Sequence, residues 1–354
     1  MNQEISQRVK DIIKKIKFDK KKKTVIGFFA NDVKSYGQKI SILEDKIKNN
    51  DISHKTACTR FSLYSDNLFK KIGKIERMVN EKVILKHIKN TFRSELKSLI
   101  DSSLLMSRGF YKPSGHPGDF KTIEMFYDKD IVSEGIGFCG DKYILQDNYV
   151  KAVRIRKNMM KKELVSFIRE SKPNSLSIMN LGCGSSREMR EIFPKLSCNK
   201  ELNFTLVDWD KEALKFAKKS LNLHKVGKNT IFKFRRENIF NFYRYPQRYI
   251  KALKRQDLIY SIGLADYMPN LIFGETIKFC FNLLKENGTL MIAHKNVKVH
   301  KSYASDWFCD WNFYSRSIKD VKEVVYENLK GYEFSLRIVK EKTNHIFFVV
   351  VTKL

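Results

Sequence analysis

The chain has 354 residues, more than one domain usually contains, which predicts a principal domain with a substantial accessory region. Its 68 Lys and Arg residues outnumber the 39 Asp and Glu residues, and the formal net charge is +29. This charge would suit an anionic partner such as nucleic acid or an acidic membrane, but it is spread along the chain, so a compositional bias is the simpler explanation. The longest strongly apolar run (346–351) is far too short to cross a bilayer, and the N-terminus lacks the apolar core of a signal peptide. We therefore expect a cytoplasmic protein without a transmembrane segment.

The first hundred residues read as helical. Apolar residues at helical spacing open the chain, at Val9, Ile12, Ile13 and Ile16. With lysines between them, they predict a basic amphipathic helix that packs on its own domain or makes a peripheral contact with an anionic membrane. The run "FDKKKKT" that follows is expected to be a solvated linker. Few glycines and no prolines occur between 37 and 105, and one further apolar stripe is formed by Leu85, Ile88, Phe92, Leu96 and Leu99. We predict a helical N-terminal region over 1–105.

The six cysteines are scattered, at Cys58, Cys139, Cys183, Cys198, Cys280 and Cys309. They form no CxxC pair and show no Cys/His spacing typical of zinc, so we predict no metal site. Free thiols in a reducing compartment are the simplest interpretation.

The segment 108–128, "RGFYKPSGHPGDFKTIEMFYD", concentrates Gly, Pro and aromatic residues, which favours a shaped loop, either a ligand-binding loop or a structural connector. A helix that ends near Pro173 is predicted after it. We therefore expect a loop and helical lid or connector over 106–172.

Short apolar runs then alternate with amphipathic segments. The predicted strands are 176–181, 203–208, 230–235, 257–263, 288–294, 332–339 and 345–352. Alternation of this kind predicts a mainly parallel sheet with helices on both faces. The last two strands are separated by only "KEKTN", too few residues for a crossover helix, so they should pair as an antiparallel hairpin.

A glycine turn follows the first predicted strand in "LSIMNLGCGSSREM". Gly182 and Gly184 are present, but Arg187 stands where a dinucleotide fingerprint has its third glycine, which argues against NAD or FAD. Asp208 ends the second strand, where a carboxylate can accept both hydrogen bonds of a ribose diol, and Asp210 is expected to cap the next helix. Asn238 follows the third strand, where its amide could meet an adenine edge.

This ordered set resembles the class I S-adenosylmethionine-dependent methyltransferases over roughly residues 160–354. The resemblance implies a Rossmann-like seven-stranded α/β sheet with an antiparallel last hairpin, S-adenosylmethionine as the cofactor and a methyltransferase domain over 173–354. It implies cofactor contacts by Asn180, Gly182, Cys183, Gly184, Asp208, Trp209, Asn238, Ile239, Ser261 and Gly263. Where many of these enzymes carry acidic residues, this chain has Asn180 and Asn238, which keep hydrogen-bonding capacity but remove negative charge.

A closer resemblance covers about 105–354. The strings "GCGSSRE", "GHPGDFKTIEMFYD", "YSIGLADYMPN" and "DWNFYSRS" are similar to those of the methyltransferases that make the extracellular factor 3-hydroxypalmitic acid methyl ester. Ser185, Ser186 and Ala265 depart from that family's pattern. The resemblance implies methyl transfer to a small acceptor such as the carboxylate of a hydroxy fatty acid.

A carboxylate is already ionised at pH 7 and needs no general base. We predict catalytic roles for Tyr267, His294, Tyr314 and Arg316, and substrate contacts for Asp119, Tyr127, Arg154 and Arg156. Arg316, or Arg154 and Arg156, would hold the carboxylate by paired hydrogen bonds, and Tyr267 and Tyr314 would orient it. His294 would act as a base if the acceptor must lose a proton. The structural alternatives are a surface residue for Arg316 and a hydrogen-bonded structural histidine for His294.

Two other functions remain open. The charge of +29 favours an RNA or a protein (lysine or arginine) as the acceptor. The second of these functions is that of a non-catalytic protein that binds S-adenosylmethionine. The identity of the acceptor and the oligomeric state cannot be read from the sequence.

Overall fold

The computed structural model describes residues 6–222, 229–299, 303–314 and 316–354. The helices are α1 Gln7–Lys15, α2 Asp19–Gly27, α3 Lys34–Lys48, α4 His54–Val79, α5 Lys82–Glu95, α6 Lys97–Ser102, α7 Leu104–Tyr111, α8 Phe120–Asp128, α9 Gly135–Gln146, α10 Asn148–Glu170, α11 Arg187–Ile192, α12 Lys211–Asn222, α13 Ile239–Arg244, α14 Pro246–Ala252, α15 Asn270–Leu283, α16 Tyr303–Cys309 and α17 Ile318–Asn328. A π-helical segment (Phe28–Val33) joins α2 to α3, and short 3-10 turns occupy Phe193–Lys195 and Ala265–Tyr267.

The strands are β1 Ser175–Leu181, β2 Glu201–Asp208, β3 Thr230–Arg236, β4 Gln256–Ser261, β5 Leu284–Lys295, β6 Phe334–Lys340 and β7 Ile346–Lys353. The chain divides into two compact units. The first contains the described residues of 1–147 and 302–312, and the second contains those of 148–301 and 313–354. The first unit is helical, and the second contains all seven strands.

The amphipathic helix predicted at the N-terminus is present as α1. Val9 and Ile12 in this helix and Ile16 directly after it are buried, and the helix packs against α5, so this face is used within its own unit. The predicted linker "FDKKKKT" is wrong, because helix α2 begins at Asp19 and runs through the lysines. Lysine is a good helix former, and a lysine-rich run continues a helix wherever its side chains can stay in solvent. No helix among the described residues is long and apolar enough to span a membrane.

The segment predicted as a shaped loop is mostly helical. Helices α7 and α8 take up both ends of 108–128, and only 112–119 lies between them. Lys112 ends α7 in a left-handed conformation, and the Asp119 side chain accepts a hydrogen bond from the Thr122 amide at the start of α8. The Gly and Pro residues therefore separate two helices instead of forming one long loop.

The expectation of six free thiols is wrong for one pair. Cys58 in α4 and Cys139 in α9 form a disulfide, with their Cα atoms 4.7 Å apart. Both side chains are buried within the first unit. Spacing alone could not reveal the pair, because 81 positions separate the two cysteines.

The sheet of the second unit has the order β3-β2-β1-β4-β5-β7-β6. Strands β1 to β5 run parallel to one another, and β7 is antiparallel to both β5 and β6. The Rossmann-like seven-stranded sheet with an antiparallel last hairpin is thus confirmed, and all seven predicted strands are present. The order reverses between β1 and β4. In a parallel sheet of this kind ligands bind beyond the carboxyl ends of the strands at such a reversal.

Candidate functional site

The glycine turn lies directly beyond the carboxyl end of β1. Gly182 has a φ of 69°, which a side chain would disfavour, and a Cβ built on it would lie 3.1 Å from the Cβ of Leu264. The amides of Gly182 and Cys183 both donate to the Val207 carbonyl, at 2.9 and 3.0 Å. The turn is therefore tied to β2, and it brings a bare backbone to the edge of the sheet. Burial and the nearby Asp208 charge raise the pKa of the Cys183 thiol, which stays protonated at neutral pH.

Asp208, at the end of β2, is held by two backbone amides. Its Oδ2 accepts from the Gly184 N–H at 2.8 Å, and its Oδ1 accepts from the Asp210 N–H at 2.9 Å. A carboxylate oxygen can accept more than one hydrogen bond, which is the property that the predicted contact with a ribose diol requires of Asp208. Asp210 caps α12 as predicted, because its Oδ1 accepts from the Glu212 amide at 2.8 Å.

A buried carboxylate lies beneath the turn. Glu188, in the first turn of α11, is 2% exposed. Its Oε1 accepts from Asn180 Nδ2 at 2.9 Å and from the Tyr260 hydroxyl at 2.8 Å. Burial and the Glu188 charge raise the pKa of Tyr260, so the hydroxyl remains a donor. Glu188 restores the negative charge that Asn180 lacks, and our sequence reasoning missed it although it belongs to "GCGSSRE".

The Glu188 contact also orients Asn180. Because Nδ2 donates to the carboxylate, the amide oxygen Oδ1 is not part of that contact. Within the described part of the chain, the buried Asn180 Oδ1 has no hydrogen-bond partner. Ser261 Oγ, at the end of β4, also lacks one. Buried acceptors are normally satisfied. The primary ammonium group of S-adenosylmethionine is a donor that fits Asn180 Oδ1.

Arg156 lies close to the end of β4. It belongs to α10, is buried, and its Nη2 would be 3.6 Å from a Cβ added to Gly263. Its neighbour Arg154 is half-buried, and burial lowers the pKa of that guanidinium. A guanidinium at this edge can bind a carboxylate by paired hydrogen bonds, which is the chemistry predicted for both arginines.

The predicted adenine side is more exposed. Trp209 is 58% exposed, and the Arg236 guanidinium lies over its ring at 5.3 Å. The Asn238 side chain caps α13 by accepting from the Phe240 amide at 3.0 Å, so its oxygen already has a structural role. Glu237, which sequence reasoning passed over, accepts from the Tyr249 hydroxyl at 2.8 Å and adds a carboxylate at the end of β3. Ile239 packs against the core of the second unit.

The structural alternative is favoured for His294, whereas the surface position that was the alternative for Arg316 is wrong. His294 is fully buried, with Nδ1 2.8 Å from the Lys295 carbonyl and Nε2 3.1 Å from Arg316 Nη1. These partners indicate the tautomer that donates from Nδ1 and accepts at Nε2 from the guanidinium. Arg316 is not at the surface, since it is 2% exposed, and it also donates to the Asn270 side chain and to the carbonyls of Ala265 and Met268.

The remaining predicted residues are dispersed. Tyr267 lies in the 3-10 turn after β4, and Tyr314 is half exposed, with its amide donating to the Asp266 carbonyl at 2.8 Å. In the first unit, Asp119 is buried, forms an ion pair with Arg108 and caps α8, which is a structural role. Tyr127 lies in α8 and is partly buried.

Comparison with known proteins also indicates a methyltransferase domain. Residues 172–343 match the family model described as a methyltransferase domain. A solved structure from Bordetella parapertussis, titled a "possible exported protein", is 15% identical with a TM-score of 0.50, covering 66% of this chain and 79% of that one, and shares the fold.

Two more distant structures are also similar. Magnesium protoporphyrin IX methyltransferase from Synechocystis PCC 6803 is 10% identical with a TM-score of 0.41, covering 59% of this chain and 86% of that one. The plantazolicin methyltransferase is 12% identical with a TM-score of 0.45, covering 73% and 98%. No curated protein matches the chain by sequence.

Proposed function

We propose that the chain is an S-adenosylmethionine-dependent methyltransferase that transfers the methyl group to the carboxylate of a small acyl acceptor such as a hydroxy fatty acid. The observation that carries this proposal is the state of His294. This residue was the predicted base at the acceptor edge, but its Nε2 lies 3.1 Å from the Arg316 guanidinium, and it is fully buried. Because arginine does not deprotonate in proteins, His294 Nε2 accepts that hydrogen bond and is not available to take a proton from an acceptor.

A carboxylate acceptor removes the need for a base. A carboxylate oxygen attacks the methyl carbon while the carbon–sulfur bond breaks, and the electron pair of that bond stays on sulfur. The products are a methyl ester and the neutral thioether S-adenosylhomocysteine, and no proton moves. An alcohol or amine acceptor would have to lose a proton as well. The protein is required only to align the two reactants and to exclude water.

The positions of two predicted contacts agree with this chemistry. Arg156 is buried beside Gly263, just beyond the end of β4, and in this proposal its guanidinium contacts a carboxylate of either the cofactor or the acceptor. Tyr267, in the turn that follows the same strand, offers a phenol that can orient the acceptor. In this proposal both side chains bind and position, and neither transfers a proton.

The test is direct methyl transfer. The purified full chain is incubated with methyl-labelled S-adenosylmethionine and either 3-hydroxypalmitate or its alcohol counterpart, 1,3-hexadecanediol. We expect label in a lipid from the acid alone, released as methanol by mild alkali, because esters are alkali-labile. Label that enters the diol, or that resists alkali, would contradict carboxyl methylation.

The net charge of +29 favours two alternative acceptors, RNA and protein. The same labelled cofactor is therefore also offered to total RNA and to a protein lysate. Label confined to either fraction would replace the proposal with RNA or protein methylation, and cofactor binding without label anywhere would favour the non-catalytic alternative.

A further inference from the structure

The segment 239–255, which follows β3, contains basic and aromatic residues but no Asp or Glu. It forms α13 and α14, whose Phe242 and Tyr249 side chains are buried, at 1% and 7% exposure. Three other aromatic side chains of the segment are 39–55% exposed, and three basic ones lie in solvent. These six residues, which we call the α13–α14 surface, are Phe240, Tyr243 and Tyr245, and Arg244, Arg248 and Lys251.

The α13–α14 surface begins at the carboxyl edge of the sheet. Helix α13 starts directly after Asn238, whose side chain accepts from the Phe240 amide at 3.0 Å. In the neighbouring strand β2, Asp208 pairs with Arg236 at the end of β3, and the exposed Trp209 comes next. The exposed aromatic side chains that follow β2 and β3 are therefore close to the predicted cofactor site.

The basic residues of this surface have no acidic residue within their own segment. Five positive charges occur over 239–255 without a negative one. The two carboxylates that flank the segment bind other groups, since Glu237 accepts from the Tyr249 hydroxyl at 2.8 Å and Asp257 accepts from Lys285 Nζ at 2.7 Å. A local excess of positive charge of this kind favours an anionic partner.

The exposed rings indicate which anionic partner fits. At a membrane interface, aromatic side chains lie at the level of the headgroups, and Lys and Arg contact anionic lipids. A single strand of RNA instead stacks its bases on open ring faces along a cationic groove. One face of the Trp209 ring is already covered by the Arg236 guanidinium, at 5.3 Å. The arrangement therefore favours a lipid surface over RNA.

We propose that the α13–α14 surface binds an anionic lipid bilayer, with its rings among the headgroups and its basic side chains on the lipid charges. The choice of lipid also rests on the proposed function, because a long-chain acid collects in a bilayer. Binding in this way brings the carboxyl edge of the sheet to the membrane that holds the acceptor. The surface is distinct from α1, whose apolar face is buried within the first unit.

The charge is tested by co-sedimentation of the full chain with vesicles of phosphatidylcholine, alone or mixed with phosphatidylglycerol. We expect binding to the mixed vesicles only, and weaker binding as salt is added. Arg244→Gln combined with Lys251→Gln removes two charges, each worth about fivefold, so binding should weaken roughly thirty-fold. The matched control is Lys322→Gln combined with Lys330→Gln, two exposed lysines in and after α17, and it should bind like the wild type.

The aromatic contribution is tested by Tyr245→Ser, with Tyr326→Ser as its control. The two tyrosines are 55% and 57% exposed, so the substitutions remove similar groups from the surface. Tyr245→Ser should bind the mixed vesicles several-fold more weakly, because its ring is no longer transferred from water to the interface. Equal binding by the two variants would contradict the contact of this ring with lipid.

The outcomes separate this inference from the proposed function. If the wild type methylates 3-hydroxypalmitate but does not bind mixed vesicles, the inference is wrong and the proposed function stands. If it binds vesicles through this surface without methylating the acid, the inference stands and the proposed function fails. Neither binding nor methylation would overturn both.

Two further results would overturn the inference. Equal loss of vesicle binding in the Lys322 and Lys330 control would mean that only the net charge matters. Binding of single-stranded RNA in place of vesicles, with loss in the Arg244 and Lys251 variant, would make this surface a nucleic-acid site.

Discussion

Asp208 is expected to have two roles, which are to hold the backbone at this edge of the sheet and to bind the ribose of the cofactor. Replacing Asp208 with Asn tests both. One oxygen accepts from the Gly184 amide at 2.8 Å, and the other accepts from the Asp210 amide at 2.9 Å. Asparagine is nearly the same size but has a single side-chain oxygen. Its NH₂ group would face one of the two backbone donors, so either the glycine turn or the start of α12 loses its partner.

The cost follows from that geometry. Leaving one partly buried N–H opposite a donor, and replacing the remaining charged hydrogen bond with a neutral one, should destabilise the second unit by about 1.5 to 3 kcal/mol. The ribose diol would also lose a charged acceptor, which costs a similar amount, so S-adenosylmethionine should bind roughly 10- to 100-fold more weakly.

The measurements are thermal unfolding without cofactor and calorimetric titration with S-adenosylmethionine. Asp210→Ala is the matched control, because it removes only the cap of α12, worth about 1 kcal/mol, and should leave cofactor affinity unchanged. Wild-type affinity in Asp208→Asn would exclude this residue from the cofactor site. Equal loss of affinity in both variants would mean that the effect operates through folding of this edge.

Three further changes test other parts of the structure. Burial alone would raise the pKa of Glu191, but hydrogen bonds from basic residues of α10 and α11 outweigh it and lower the pKa to about 2. Its contribution is thus complete above about pH 4.5 and is lost as the pH falls toward 2, so Glu191→Gln should lower stability by about 1 to 3 kcal/mol at pH 7. Urea titrations should show the gap between variant and wild type narrowing below about pH 4.5 and closing only near pH 2. Glu188→Gln should weaken S-adenosylmethionine more than the neutral-sulfur product S-adenosylhomocysteine in calorimetry, and an equal loss for both would place its effect away from the sulfonium. Cys58→Ala, which opens the bond to Cys139, should cost about 2 to 4 kcal/mol of stability, and a melting temperature that no reductant shifts in the wild type would contradict the disulfide.

The sheet could be predicted because its signals are local. Strands β1, β2 and β4 are buried along most of their length and therefore have short apolar sequences between helical segments. The five residues between the last two strands exclude a crossover, which settles the direction of β7 before any coordinates are seen. The boundaries moved by a few residues, most at β5, which begins at Leu284 where 288 was predicted.

The wrong predictions concern features of the fold that tertiary contacts determine. Nothing local distinguishes a lysine-rich linker from helix α2, and composition alone does not show that the 112–119 connection separates two capped helices. The pairing of Cys58 with Cys139 depends on the packing of α4 against α9, which no spacing rule contains.

The site errors have a related cause. His294 and Lys295 are consecutive at the end of a strand, and alternation places their side chains on opposite faces. Alternation does not say what either face packs against, so the contact of His294 with the Arg316 guanidinium could not be predicted from the sequence. Likewise, Asn180 suggested a site poor in negative charge, yet the charge is present on Glu188, eight positions later, where the helix start brings its carboxylate back against the strand. The negative charge near the predicted cofactor site therefore depends on how the glycine turn folds. Comparing the affinities of Glu188→Gln for S-adenosylmethionine and S-adenosylhomocysteine measures the contribution of this charge.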